Sequence, residues 1–197
     1  MEPMQIETNT IEKAMLCRAS AAQRPITGTL ELLPICNMNC DMCYIRLSRT
    51  EMEKKGRMRT ADEWISMGEE MERAGVLFLL LTGGEPLLFP DFRRLYLSLR
   101  ERGIILTVNT NGTLIDADWA AFFGENKPRR INITLYGADD RAYEMLCHYP
   151  GGFEKTVQGI RLLKERGVDV KINGSVTKSN RNDMEKIYAI GRELGAP

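Results

Sequence analysis

Three cysteines, Cys36, Cys40 and Cys43, fall within eight residues of one another in the stretch ELLPICNMNCDMCYIRL, in a chain with five cysteines and one histidine. Thiolates spaced C-x3-C-x2-C on one loop are metal ligands or redox groups. A structural zinc site needs four closed ligands. His148 is the single histidine, and Cys17 and Cys147 are the remaining thiols, so a Cys3His site requires a long reach. A dithiol redox reading of Cys40-x-x-Cys43 leaves Cys36 unexplained. A cubane of four irons and four sulfides ordinarily takes four cysteines; three leave one iron without a protein ligand. An open coordination position is what makes a metal site catalytic.

The elements that must carry this loop are legible in the hydrophobic periodicity. From residue 29 onward short apolar runs alternate with helical patterns, the signature of a parallel sheet covered by helices. Strands are expected at residues 29–35, 76–81, 104–108, 131–135 and 168–176, the second as a continuous apolar run buried on both faces. Helices are expected from about residue 60, with Thr60 as N-cap, Glu63 closing a capping box and Gly75 ending it. Others follow after Asp91, over 115–123, over 153–166 and around Met184 to Leu194. Five such units make an open doubly wound sheet or a TIM-like barrel, complete or partial, and in both the ligands gather at the carboxyl ends of the strands. At Leu194-Gly195-Ala196-Pro197 the pattern of Gly103-Ile104 and Gly167-Val168 calls for another strand, so the chain reads as truncated. Residues 1–28 read as an N-terminal extension with one helix near 10–22, and residues 29–197 as the core domain.

Four unusual segments fall at the ends of strands one to four: the cysteine loop, Thr82-Gly83-Gly84-Glu85-Pro86, Asn109-Thr110-Asn111-Gly112 and Thr134-Leu135-Tyr136-Gly137. All would line one rim. Taken singly, the second and third are ordinary turn signals. Gly83 and Gly84 permit close approach of backbone to ligand, and Pro86 stiffens the turn. Lys171 and Asn173 are polar positions on the fifth strand, where apolar residues are the rule. Cys17 reads as a packed thiol. Cys147 and His148, adjacent on a helix, do not face each other and read as an incidental pair. The basic stretch Arg46, Arg49, Lys54, Lys55, Arg57 and Arg59, interrupted by Glu51 and Glu53, reads as a solvated connector, and Met38, Met42, Met58, Met67 and Met71 as packing residues.

The three cysteines followed by Tyr44, with Gly-Gly-Glu-Pro after the second strand, closely resemble the radical S-adenosylmethionine enzymes. The resemblance spans residue 29 to the end of the chain and implies a partial (β/α)6 barrel with about five units present. It implies a 4Fe-4S cluster on Cys36, Cys40 and Cys43, and S-adenosylmethionine on the fourth iron. By the same resemblance Gly84 and Glu85 meet the methionyl ammonium, largely through backbone carbonyls, and Gly83 belongs to the same cofactor-binding turn. Tyr44 lies beside the adenine, and Asn111 belongs to the cofactor rim. Thr134 reaches the carboxylate or ribose, with Lys171 and Asn173 as further candidates. The implied reaction is reductive cleavage to a 5'-deoxyadenosyl radical that abstracts hydrogen from substrate, with flavodoxin or ferredoxin as electron donor. The stretch from Ile131 to Gly137, with Tyr143-Glu144, Gly152-Phe153 and Val176 to Asn180, resembles the SPASM-type subgroup. Many of its members modify peptides or mature proteins, and a few act on tetrapyrroles. Relatives commonly have Asp where this chain has Tyr136, and often a His-Asp and an Arg where it has Tyr143-Glu144 and Cys147. A non-catalytic or zinc-binding partial barrel is the alternative.

Lys and Arg together number 27, as do Asp and Glu. No global field therefore draws the chain to nucleic acid or to anionic membrane. No apolar run reaches membrane-spanning length, and the opening residues lack the basic and apolar regions of an export signal. The chain is expected to be soluble and cytoplasmic, where free thiols outnumber disulfides.

Overall fold

A computed structural model of the chain describes residues 10–196; the first nine residues of the expected extension, and Pro197, lie outside the described part. Five strands form one sheet, β1 (Thr27–Glu31), β2 (Phe78–Thr82), β3 (Ile105–Thr110), β4 (Arg130–Thr134) and β5 (Val170–Asn173). They lie in sequence order, each parallel to the next. A doubly wound sheet reverses its order at a switch point. Here there is none, so the sheet curls as part of a barrel.

Helix α1 (Thr10–Ala21) precedes β1. The connector after the cysteines carries α2 (Arg49–Lys55), then α3 (Ala61–Ala74) leads to β2. Helices α4 (Phe92–Glu101), α5 (Ala117–Glu125), α6 (Asp140–Cys147), α7 (Gly152–Glu165) and α8 (Met184–Glu193) complete the chain. The Thr60–Glu63 capping box is present, and Gly75 terminates α3 in the left-handed region at φ 107°. Asp91 precedes α4 but makes no side-chain cap. Asp116 caps α5 by accepting from the Trp119 N–H at 2.8 Å, which starts that helix two residues later than the apolar pattern suggests.

One face of the sheet is the core. Leu79, Leu81, Leu106, Val108, Ile131, Ile133 and Val170 are all buried there, against Leu95, Leu99, Phe123, Ile160 and Leu163 of the helices. A ring of Phe92, Tyr96, Trp119, Phe122 and Phe123 joins α4 to α5 by stacked and edge contacts. The other, concave face carries Leu80, Thr107, Asn109, Asn132, Thr134, Lys171 and Asn173, none of them buried. Asn132 Nδ2 donates to Asn109 Oδ1 at 2.8 Å on that face. Strand β2 therefore alternates buried with half-buried positions instead of being buried on both sides, because the inside of the curl is not packed.

Other expectations shift. The ordered part of β1 ends at Glu31, although residues 32–35 continue irregular pairing with the segment after β2. Strand β5 is four residues long because Gly174 to Val176 turn out to solvent. The basic connector is partly helical: Ser48 and Glu51 form a capping box on α2, none of whose residues is buried. Arg57 forks onto Glu63 at 2.6 and 2.7 Å, and Arg59 stacks over Trp64. Cys17 is exposed on α1 rather than packed. The five methionines do pack, Met38 and Met42 in the small cluster beside the cysteine loop and the others on the main core. Among the described residues no helix is long and apolar enough to cross a membrane.

Candidate functional site at the carboxyl ends of the strands

The cysteine loop leaves β1 and is tied down on three sides by backbone hydrogen bonds. Gly84 N–H donates to Leu33 O at 2.7 Å and Glu85 N–H to Ile35 O at 2.9 Å. The loop closes on itself where Leu47 N–H meets Pro34 O at 3.0 Å. On the third side Asn39 N–H and Asp41 N–H donate, each at 3.0 Å, to Cys147 O and Leu146 O at the end of α6. These last two bonds bracket Cys40.

The double glycine has a definite steric reason. A Cβ on Gly83 would stand 2.5 Å from Leu33 O, and one on Gly84 2.3 Å from Ile35 O. Gly83 also sits at φ 139°. The close approach that these glycines permit is thus of backbone to backbone, which locks the turn after β2 against the cysteine loop. Glu85 is wholly buried, with its carboxylate turned inward. It accepts from Thr110 Oγ1 at 2.7 Å, Leu87 N at 3.1 Å and Asn111 N at 2.8 Å. Burial nonetheless pushes its carboxyl up to about 7, the three bonds opposing that shift.

A cleft of about 220 Å³ opens between these segments, lined by Cys36, Cys40, Cys43, Tyr44, Gly83, Gly84, Asn111, Thr134 and Tyr136 among others. The rim expected from the four strand ends is therefore real. Tyr44 is 90 % exposed at its mouth. Glu85 stands behind the lining. Lys171 and Asn173 are not among the lining residues: they pair across the ladder with Asn132 and Thr134, and Lys171 is exposed on the concave face, deeper along the strands than Thr134.

Each sulfur has its own polar surroundings. Cys36 Sγ accepts from Met38 N–H at 3.4 Å and faces Asn111 Nδ2 at 3.7 Å. Burial, the larger influence, pushes its thiol up to about 11. Cys43 Sγ, at the exposed end, accepts from Arg46 N–H at 3.3 Å. Cys40 is held below the usual thiol range by hydrogen bonding, first with Cys147 and then, against the effect of burial, with Tyr136. Asn111 Nδ2 also donates to Asn37 Oδ1, and Asn37 Nδ2 to Thr113 Oγ1, each at 2.8 Å. Thr113 and Ser175 were not foreseen; Asn37 and Thr110 lie in segments expected at the rim but had no role of their own, and Asn180 stood out only through the resemblance of its stretch. Asn180, 1 % exposed, donates to Tyr136 O and Ser175 O at 2.8 Å each.

Among the described residues no three Cys, His, Asp or Glu side chains converge on a point that a single ion would occupy. His148, needed for the zinc alternative, instead meets Asp41 Oδ1 through Nε2 at 2.7 Å. A cubane presents its ligand positions on separate irons and calls for sulfurs set around a space rather than on a point. Three sulfurs around a cleft, each near donors that favour a thiolate, fit such a cluster.

Fold and cleft define a partial α/β barrel with a thiol-lined rim at the carboxyl ends of its strands. The chain belongs to the radical SAM superfamily, whose family description matches residues 30–189. Members use a 4Fe-4S cluster and S-adenosylmethionine. The chain is 31 % identical over 166 residues to an AdoMet-dependent heme synthase of Methanosarcina barkeri, covering 84 % of this chain and 47 % of that protein. It is 24 % identical over 177 residues to a PqqA peptide cyclase of Granulibacter bethesdensis, covering 90 % and 46 %. Among solved structures, Streptococcus suis SuiB bound to its precursor peptide SuiA superposes with a TM-score of 0.75 at 18 % identity, over 94 % of this chain and 42 % of that one. The chain thus spans about half the length of the curated relatives it matches.

Proposed function

We propose that Cys36, Cys40 and Cys43 hold a 4Fe-4S cluster in the cleft and that S-adenosylmethionine binds beside it, against Gly83, Gly84, Tyr44 and Thr134. The observation that carries this reading is the meeting of all three cysteines with the ends of β2, β3 and β4 around one cleft. When bound, this pair supplies one-electron cleavage of the sulfonium and a carbon radical that takes hydrogen from a substrate. The chain's own part is positional. Backbone bonds from the turn after β2 fix the loop, and Asn111 orients Cys36 and Asn37. Apolar residues pack against one side of Cys40, which also faces the cleft. The polar concave face leads from the cleft into the curl of the sheet and offers amide and hydroxyl groups to a substrate. A low-potential flavodoxin or ferredoxin supplies the electron.

We infer a peptide or protein undergoing maturation as the substrate. The peptide cyclases among its relatives, and the fold shared with a structure holding a precursor peptide, support this. A tetrapyrrole is the second reading, favoured by the likeness to a heme synthase, at higher identity. The experiment is anaerobic reconstitution of the full chain with iron and sulfide, followed by reductive cleavage of S-adenosylmethionine. About four irons per chain, cleavage in the parent and loss of both in Cys40→Ala are expected. Cleavage retained in Cys40→Ala would overturn the cluster assignment. Hydrogen exchange into a candidate peptide, against a candidate porphyrin, separates the two substrate classes.

A further inference from the structure

On the concave face a polar row leads out of the cleft to a cation. The parallel register sets Asn109 of β3 beside Asn132 of β4, and Asn132 beside Lys171 of β5. Asn109 lines the cleft together with Thr82, so the row begins inside the cleft and ends at Lys171 on the edge strand. Asn132 Nδ2 donates to Asn109 Oδ1 at 2.8 Å. That bond occupies the Asn109 oxygen. The Asn109 amide hydrogens, and one of Asn132, are left without a partner among the described residues.

Arg130 and Lys171 both stand on this face, a row apart, and they differ. Arg130 Nε meets Asp169 Oδ2 at 2.9 Å. Lys171 has neither an ion pair nor a hydrogen bond among the described residues. The acid of its row, Glu31, lies on β1 at the opposite edge of the sheet. A surface of amide donors and an ammonium, with no carboxylate close by, matches a ligand that accepts and carries negative charge; a carboxylate is such a group. A lysine on an edge strand also deters pairing with another chain, but that role needs no row of amides leading from the cleft. Nor does the place suit the S-adenosylmethionine read at the rim. Lys171 precedes Asn173, the register partner of Thr134, by two residues. It therefore stands about 7 Å further from the strand ends, outside the cleft wall.

We propose that Lys171, with the amides of Asn109 and Asn132, binds a carboxylate of the substrate. The substrate is then an acid, through an aspartate, glutamate or terminal carboxylate of a peptide or a propionate of a tetrapyrrole. The proposal rests on the reading of the cleft as the cluster and S-adenosylmethionine site, with the substrate beyond it in the curl of the sheet. The full chain, reconstituted with iron and sulfide and loaded with S-adenosylmethionine, is titrated anaerobically with coproporphyrin III and with oligoglutamate, each against its methyl ester, at low and raised salt. Lys171→Met keeps the stem without the charge, and Lys171→Arg keeps the charge; the side chain is exposed, so neither removes a packed contact. The parent is expected to bind one free acid more tightly than its ester, less so as salt rises. Lys171→Met binds that acid about tenfold to a hundredfold more weakly and no longer prefers it to the ester, and Lys171→Arg retains most of the preference. Which acid is preferred tells tetrapyrrole from peptide. Equal affinity of acid and ester for the parent with both probes, or an unchanged preference in Lys171→Met, overturns the inference and leaves the cluster reading standing. Loss of S-adenosylmethionine cleavage from Lys171→Met with no substrate present also overturns it, by assigning the side chain to the cosubstrate. A parent that takes up no iron counts against the reading of the cleft, and the inference falls with it.

Discussion

A carboxyl group with no exposed surface that still accepts three hydrogen bonds makes Glu85 a pH-dependent element of the fold. Burial lifts its folded value to about 7 from an ordinary 4.5. Between these values the folded chain holds a proton that the unfolded chain has released, so this group's contribution to stability is present at low pH and falls as pH rises toward and past 7. The expected loss is about 3 kcal/mol. Urea unfolding at about pH 5 and pH 8 measures it, with Glu85→Gln as the reference: the variant gains on the parent as pH rises, and a constant difference would contradict the assignment. Glu85 stands out in the sequence as part of Gly-Gly-Glu-Pro, but the inward turn of its carboxylate does not. That turn depends on Thr110 and the Asn111 N–H, about 25 residues away on another strand. For the same reason Cys147 looks incidental in sequence, since it shares a small packed cluster with Cys40 of the distant loop after β1.

At the scale of elements, the turn after β2 and the cysteine loop form one unit because Gly83 and Gly84 let two backbones cross. Gly83→Ala adds a Cβ that meets Leu33 O and forces an L side chain into a left-handed conformation. A loss of roughly 2–3 kcal/mol is expected, read from the urea midpoint, together with reduced iron uptake on reconstitution. Helix α3 was legible because the signals at both its ends are local: Thr60 and Glu63 cap one end and Gly75 closes the other. Helix α2 was not, for its residues bury nothing and its charges dominate the pattern. Strand ends slid by one to four residues for a different reason. Apolar character persists past the last ladder bond of β1 because Leu32 and Leu33 are buried, although the chain there has begun to turn into the loop.

At the scale of the molecule, the sequential parallel order of the five strands was legible only as alternation of strand and helix. Open sheet and barrel share that alternation, and the family resemblance favoured the barrel. The polar lining of the curl was partly visible as Lys171 and Asn173, yet the matching residues Thr107, Asn109 and Asn132 show their common face only once the register is known. The main hydrophobic core lies on the opposite side of the sheet, with its aromatic ring between α4 and α5. Zinc fingers differ, because their metal supplies the folding energy itself. Treatment of the reconstituted protein with an iron chelator should therefore bleach the visible absorption and leave the helical circular dichroism nearly unaltered; a cooperative loss of ellipticity in step with the colour would refute this.

The three-sided tethering of the cysteine loop carries a practical corollary. A loop whose path is dictated by neighbours on β2, α6 and its own exit is a mould finished before casting. A cell short of iron would accumulate intact, fillable protein rather than debris for proteolysis, and a later supply would revive it without new synthesis.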